Sequence, residues 1–190
     1  VNWSLINVVN QVAISLFYYE PGVDSGDVLA QGSVPVEKRD DIETVFDELA
    51  SEACRLISTV RKDLESGSVD ATPQSLLDAT YRPRRQPQDG LINWDRDPKS
   101  QYDWVRAQTE PYPGTYTFYR GEKVIVWDGI PVEVPTQNSL PGEILSITSG
   151  KGVDVRTGDG AFRITRLKPG TQPSRWADRY AREAGLSVGD

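Results

Sequence analysis

Glu20-Pro21-Gly22-Val23-Asp24-Ser25-Gly26-Asp27 is the stretch on which the reading of this chain turns. It parts two runs with strand character, Val12-Ala13-Ile14-Ser15-Leu16-Phe17-Tyr18-Tyr19 before it and Asp27-Val28-Leu29-Ala30-Gln31 after it. Pro-Gly followed by Asp-Ser-Gly-Asp marks a tight connection, and glycine lets such a backbone come close to a ligand. Polar loops at the ends of buried strands are where reactive side chains are commonly placed. Taken alone, the stretch reads as a plain turn in which Asp24 bonds its own backbone. The flanking sequence shifts that balance.

The run Val12–Tyr19 is apolar enough for a strand covered on both faces, as in a parallel or mixed sheet under helices. Upstream, Trp3, Leu5, Ile6 and Val9 have near-helical spacing and read as the end of a helix. Downstream, Val28–Val36 reads as a second strand. Asp40-Asp41-Ile42-Glu43 then opens the clearest helix, with acidic residues at the positive end of its dipole. Its apolar stripe is Ile42, Val45, Phe46, Leu49, Ala53, Leu56, Ile57, Val60 and Leu64, and Ser66-Gly67-Ser68 ends it. Cys54 falls in this amphipathic stretch and reads as a small packing residue.

Pro73, Pro83 and Pro87 with many polar neighbours mark a linker or strap over residues 67–90, with one helical turn near Ser75–Ala79. Asp97-Pro98-Lys99-Ser100 starts a helix through Ala107, since proline suits a first turn. From Pro113 the period changes to short strands divided by glycine turns. Gly114–Tyr119 and Lys123–Asp128 flank Arg120-Gly121-Glu122 as a hairpin; Glu143–Ile147, Gly152–Arg156 and Ala161–Arg166 follow. Such a set predicts a small OB-like β-barrel with Trp127 in its core, closed by a helix over Trp176–Ala184. The expected organisation is a partial α/β domain over residues 1–66, the strap over 67–90 and the OB-like module over 91–190.

Composition removes several chemistries. The 190 residues contain no histidine, so Ser-His or Cys-His pairs and His-ligated metals are excluded within this chain, and no metal site is expected. One cysteine cannot form an internal disulfide, which together with the lack of a leader before the first strand predicts a cytoplasmic setting. No apolar run reaches the length of a membrane span. Residues 1–80 carry 14 Asp/Glu against 5 Lys/Arg, which argues against a nucleic-acid surface there. The later part is nearly balanced, with a local excess of 8 Lys/Arg against 3 Asp/Glu over residues 151–182 that leaves RNA open. The chain has no methionine and opens at Val1 directly into an apolar pattern, from which a truncated N-terminus is expected.

Asn2-Trp3-Ser4-Leu5-Ile6-Asn7, the strand, Gly22-Val23-Asp24-Ser25-Gly26-Asp27 and Ala30-Gln31 together resemble the folate-dependent formyltransferases. The resemblance continues through Arg84-Arg85-Gln86-Pro87-Gln88-Asp89-Gly90-Leu91-Ile92-Asn93-Trp94 and Val105-Arg106-Ala107. It runs on through Pro111-Tyr112-Pro113-Gly114, Val126-Trp127, Pro141-Gly142 and Gly158-Asp159-Gly160-Ala161, in order over essentially the whole chain. It implies the C-terminal half of a Rossmann-like formyltransferase domain followed by an OB-like barrel. The paired arginines before Pro87 and Asp89, with Asn2-Trp3, resemble the branch acting on nucleotide-linked amino sugars rather than methionyl-tRNA formyltransferase.

The resemblance implies 10-formyltetrahydrofolate as formyl donor and an amine on a nucleotide-linked sugar as acceptor, with tRNA the alternative partner and a homo-oligomer left open. Of the family's catalytic Asn, His and Asp, only the Asp has a counterpart, Asp24; the other two are expected upstream of Val1. The backbone of Pro21, Gly22, Val23 and Asp24 is implied to approach the pterin. Arg84 and Arg85 are implied to hold the diphosphate, which guanidinium forks match well. Val12-Ala13 stands where the family has Thr-Gly, and Val8-Val9 where it has a glycine turn. A non-catalytic remnant that keeps nucleotide binding is the third reading.

Overall fold

A computed structural model describes residues 1–75, 79–136 and 138–190, which form two compact units: residues 1 and 9–84, and residues 2–8 and 85–190. The first helix, α1 (Asn2–Ile6), is grouped with the second unit.

In the first unit, β1 (Gln11–Phe17) and β2 (Val28–Pro35) pair antiparallel, with Gln11 opposite Pro35 and Leu16 opposite Ala30. The long helix α2 (Ile42–Ser66) packs against both strands. Asp41 caps it, its carboxylate accepting the Thr44 N–H at 2.9 Å, and Gly67 closes it at φ 71° in the left-handed region. Ile42, Val45, Leu49, Leu56 and Val60 are buried. Downstream, Thr72 forms an isolated antiparallel bridge to Val28 through two backbone bonds of 2.8 and 2.9 Å. The helical turn expected near Ser75–Ala79 falls largely on residues 76–78, outside the described residues.

Three expectations change here. The strand at Val12–Tyr19 is not covered on both faces: its ladder runs to β2 alone among the described residues, and Val12 is its one buried residue. A two-stranded antiparallel ribbon can cover only one face with a single helix. The apolar stripe of α2 is also wider than that ribbon, so Phe46, Ile57 and Leu64 remain 37, 51 and 39% exposed. Cys54 is exposed rather than packed.

In the second unit, α3 (Pro98–Arg106) begins at Asp97, whose carboxylate accepts the Lys99 and Ser100 N–H groups at 3.0 and 2.9 Å. The sheet comprises β3 (Thr115–Tyr119), β4 (Glu122–Val132), β5 (Ile144–Thr148), β6 (Gly152–Thr157), β7 (Gly160–Pro169) and β8 (Arg175–Trp176). Its order is β3-β4-β7-β6-β5 with β8 beside β7, all antiparallel. Arg120 and Gly121, at φ 48° and 82°, form the two-residue turn between β3 and β4. The last helix, α4 (Ala177–Glu183), packs on β6 and β7.

The core of this unit gathers Ile92, Val126, Val155, Phe162 and Leu167 with Tyr180 of α4. Phe162 is fully buried, a contribution on the order of 1.5–3 kcal/mol. Trp127 is 8% exposed, as expected of a core residue. The β6–β7 turn seats on the chain before α3: the Gly158 N–H donates to the Arg96 carbonyl at 2.9 Å. A Cβ at Gly158 would lie 1.9 Å from the Asp95 oxygen, so only glycine permits that approach.

Candidate functional site

The Asp24 loop is built by closure at both ends. Tyr18 N–H donates to the Asp27 carbonyl at 3.0 Å, and a Cβ on the buried Gly26 would lie 1.7 Å from the Tyr18 carbonyl. Gly22 N–H bonds the Glu20 carbonyl at 2.7 Å, a three-residue turn, and a Cβ there would meet the Ser25 hydroxyl at 2.3 Å. Asp24 takes φ 52°, a conformation that aspartate tolerates better than most residues. Pro21, Gly22, Val23 and Asp24 are all exposed. The loop therefore presents main chain and one carboxylate to solvent on a closed frame.

Gln74 completes that frame. Its side-chain amide nitrogen lies 2.9 Å from the Asp24 carbonyl oxygen and 2.6 Å from that of Gly26. Segment 70–75 and the start of β2 bound an open groove of about 590 Å³. Gln74 lies in the strap expected over residues 67–90, and nothing in its sequence neighbours marks a partner fifty residues upstream.

The two arginines differ in their surroundings. Arg84 is exposed. Arg85 is half-buried, and one of its nitrogens reaches the Asp89 carbonyl at 2.9 Å and the Gln108 side-chain oxygen at 2.7 Å. Its guanidinium carbon lies 4.4 Å from the Trp104 ring centre and 5.3 Å from that of Trp3. Burial pushes its pKa below the ordinary arginine value, with Asp89 opposing that shift and Arg96 adding to it. α1 is tied alongside by the Asn2 amide, which donates to the Ala107 carbonyl at 2.6 Å. Asn2, Arg85, Gln86, Gln108 and Tyr112 line a cleft of about 80 Å³. Trp94 donates its indole N–H to the Thr117 hydroxyl at 3.1 Å.

An exposed carboxylate on a braced loop can accept or relay a proton, and a stacked guanidinium beside a small cleft can hold an anion. Among the described residues no group of three or more acidic or cysteine side chains is placed to hold a metal. No helix among them is long and apolar enough to cross a membrane.

Comparison with known proteins adds the following. A family described as formyl transferase, C-terminal domain, matches residues 84–183. HypX from Aquifex aeolicus in complex with tetrahydrofolic acid is similar in fold, with TM-score 0.77 and 21% identity over 98% of this chain and 33% of that one. An N-formyltransferase from Helicobacter canadensis in complex with folinic acid and dTDP-3-aminofucose aligns with TM-score 0.62 and 13% identity, over 84% of this chain and 56% of that one. Methionyl-tRNA formyltransferase from Clostridium thermocellum gives 0.55 and 20%, over 84% and 61%. The chain spans about a third of the length of the HypX structures it matches.

Proposed function

Because the chain belongs to the formyl transferase C-terminal domain family, we propose that it serves transfer of a formyl group from 10-formyltetrahydrofolate to the amine of a nucleotide-linked amino sugar. In this reading the first unit is Rossmann-like and the sheet of the second is OB-like. The amine nitrogen attacks the formyl carbon, the bond from that carbon to N10 of the folate breaks, and the proton lost by the amine ends on N10. The developing oxyanion needs donors, and the proton needs a relay.

Asp24 is assigned the relay, and the observation that carries the assignment is its loop: an exposed carboxylate on a backbone closed by Tyr18–Asp27 and braced by Gln74. Pro21, Gly22 and Val23 give exposed main chain against which a pterin would lie. The 190 residues contain no histidine, so in this reading the imidazole implied by the family resemblance is supplied from outside them. Arg84, free in solvent, and Arg85, held in place, are assigned to the acceptor's phosphates.

One observation favours the sugar acceptor over tRNA. Four of the eight Lys/Arg over residues 151–182 are already paired with carboxylates: Arg163 with Asp154, Arg166 with Glu110, Arg175 with Glu183 and Arg182 with Asp178. Arg156 is bound to the Gly158 and Gly160 carbonyls. A phosphate backbone is held by cations that are free to replace its counterions. The test is formyl transfer from labelled 10-formyltetrahydrofolate to nucleotide-linked amino sugars and to methionyl-tRNA, by the chain alone and by a polypeptide carrying an added upstream Asn-x-His segment. Transfer to the sugar only in the supplemented protein is expected; transfer to tRNA alone would overturn the acceptor.

A further inference from the structure

Trp3, Arg85, Trp104 and Arg96 alternate in one stack. Arg85 stands between the two indoles, 5.3 Å from the Trp3 ring centre and 4.4 Å from that of Trp104, and the Arg96 guanidinium carbon lies 4.1 Å from the Trp104 centre. Three stretches of chain build it: α1, the segment 85–96 and α3. Trp104 is only 8% exposed, so the rings are fixed and the two cations are placed by the fold.

Cations half out of water normally take an oxygen partner. The other buried or half-buried arginines of this chain do so: Arg106 with Asp103, Arg163 with Asp154, Arg166 with Glu110, Arg175 with Glu183, Arg156 with two carbonyls. Arg96 is the exception among the described residues, half-buried with neither a carboxylate nor a carbonyl on its guanidinium. Neither flanking acid, Asp95 or Asp97, forms an ion pair with it, although the charge of Asp97 acts on it from a distance. Asp97 accepts two N–H groups and the Ser100 hydroxyl at the start of α3, and Asp89 accepts the Gln86 N–H at 2.6 Å. Ring stacking offsets part of this desolvation. It leaves the donors at the edge of the guanidinium without acceptors, and two like charges share one indole.

We propose that this stack is an anion subsite that takes the phosphoryl groups of a small phosphorylated ligand, with Arg96 providing the open fork. A planar guanidinium matches two oxygens of one phosphoryl group, and a diphosphate spans two such cations. Arg85 also lines the cleft of about 80 Å³, several times the roughly 10–15 Å³ that one water requires. Burial pushes the pKa of both guanidiniums down, with Asp89 opposing the shift at Arg85 and Asp97 at Arg96, and Arg96 adding to it at Arg85; a bound anion would act in the same sense as those carboxylates. The subsite deepens the acceptor reading above and rests on it for the source of the phosphates, a nucleotide diphosphate rather than free pyrophosphate.

Trp3 and Trp104 make the test direct, because their fluorescence responds to an anion at the neighbouring cations. The full chain is titrated with inorganic pyrophosphate and with UDP at low salt, beside Arg96→Met and, as control, the exposed Arg179→Met. Saturable quenching by both ligands is expected, weakened roughly tenfold to a hundredfold in Arg96→Met, the cost of a lost charged hydrogen bond, and unchanged in the control. Should Arg96→Met melt early, Arg96→Lys keeps stem and charge, and several-fold weaker binding is expected from loss of the fork. Binding unaffected by either Arg96 substitution, or no saturable binding at millimolar ligand, overturns the subsite. Pyrophosphate binding without UDP binding supports the subsite and removes the nucleotide acceptor. UDP binding indifferent to Arg96 sinks the subsite and leaves that acceptor standing.

Discussion

The side-chain amide of Gln74 donates to the main-chain oxygen of Asp24 at 2.9 Å, so a residue of the segment after α2 holds the one carboxylate assigned to catalysis. That bond, with its companion to Gly26 at 2.6 Å, is the only side-chain brace on the loop among the described residues. It separates two questions that are easily merged, what Asp24 does and what keeps it there.

The first is answered by Asp24→Asn in a catalytically complete polypeptide. Turnover is expected to fall at least ~100-fold, the usual cost of removing acid–base support. The Tm should stay put, since Asp24 is exposed and its carboxylate has no part in the loop closure. A kcat within a few-fold of the parent would sink the assignment.

The second needs no activity. Gln74→Glu keeps the shape of the side chain and removes both donated bonds, each worth about 0.5–1.5 kcal/mol. Amide exchange over residues 18–27 is expected to speed up roughly 10- to 50-fold, with α2 unaffected. Equal protection in both proteins would show that the loop closes without the brace.

Arg84 and Arg85 are expected to part company on mutation. Arg84→Ala should raise the KM for the acceptor without changing the Tm, because its side chain is exposed. Arg85→Ala should raise KM and lower the Tm together, since it removes bonds to Asp89 and Gln108 and two ring contacts. Identical behaviour of the two variants would contradict the structure.

Val8 stands at φ 55°, a left-handed conformation in which a β-branched residue is a steric outlier. Val8→Gly should relieve about 1–2 kcal/mol of strain, less the larger backbone entropy of glycine in the unfolded chain. A net rise in Tm of a few degrees is the expected result of thermal denaturation. A fall would mean that Val8 earns its place through contacts rather than tolerating it.

Asp97 gives the pH dependence a sign. The Ser100 hydroxyl, then the backbone N–H groups of Ser100 and Lys99, hold its carboxyl below the ordinary 3.8. A depressed pKa adds stability that is complete above the unfolded value and disappears as pH falls through the folded one. The second unit should therefore lose stability below about pH 4. Asn caps helices as well as Asp does, so Asp97→Asn should keep the Tm at pH 7 and flatten that acid limb. An unchanged acid limb would place the titration on another group.

Much of the fold was legible wherever one short stretch determines its own geometry. Asp41, Gly67 and Asp97 mark helix ends by side-chain chemistry, and α2 and α3 begin and stop where these residues direct. The hairpin at Arg120-Gly121 and the glycine turns after it mark β3, β5 and β6 to within a residue, whereas β4 and β7 run three to four residues past their expected ends and β8 has no counterpart in the sequence pattern. What stayed hidden depends on partners far along the chain. An apolar run such as Val12–Tyr19 does not say how many neighbours it has, and the run alone suggested more than β2. The Gln74 bonds to Asp24 and Gly26 and the stacking of Arg96 on Trp104 leave no mark in the local sequence, because each depends on what packs beside the residue. Cys54 shows the opposite error, an amphipathic position taken as buried when the covering ribbon is too narrow to reach it.

The seat of Gly158 on Asp95 and Arg96 decides where this protein can carry a label. A fluorophore or peptide tag grafted into the β6–β7 turn would wedge the hairpin off that main chain, where even a methyl group has no room. Gly121, at the tip of the β3–β4 hairpin, has open space where a side chain would project. Cargo inserted beside Gly121 would ride on the sheet without disturbing the chain that leads into α3, and it would leave the native tryptophans as the optical probe of the stack.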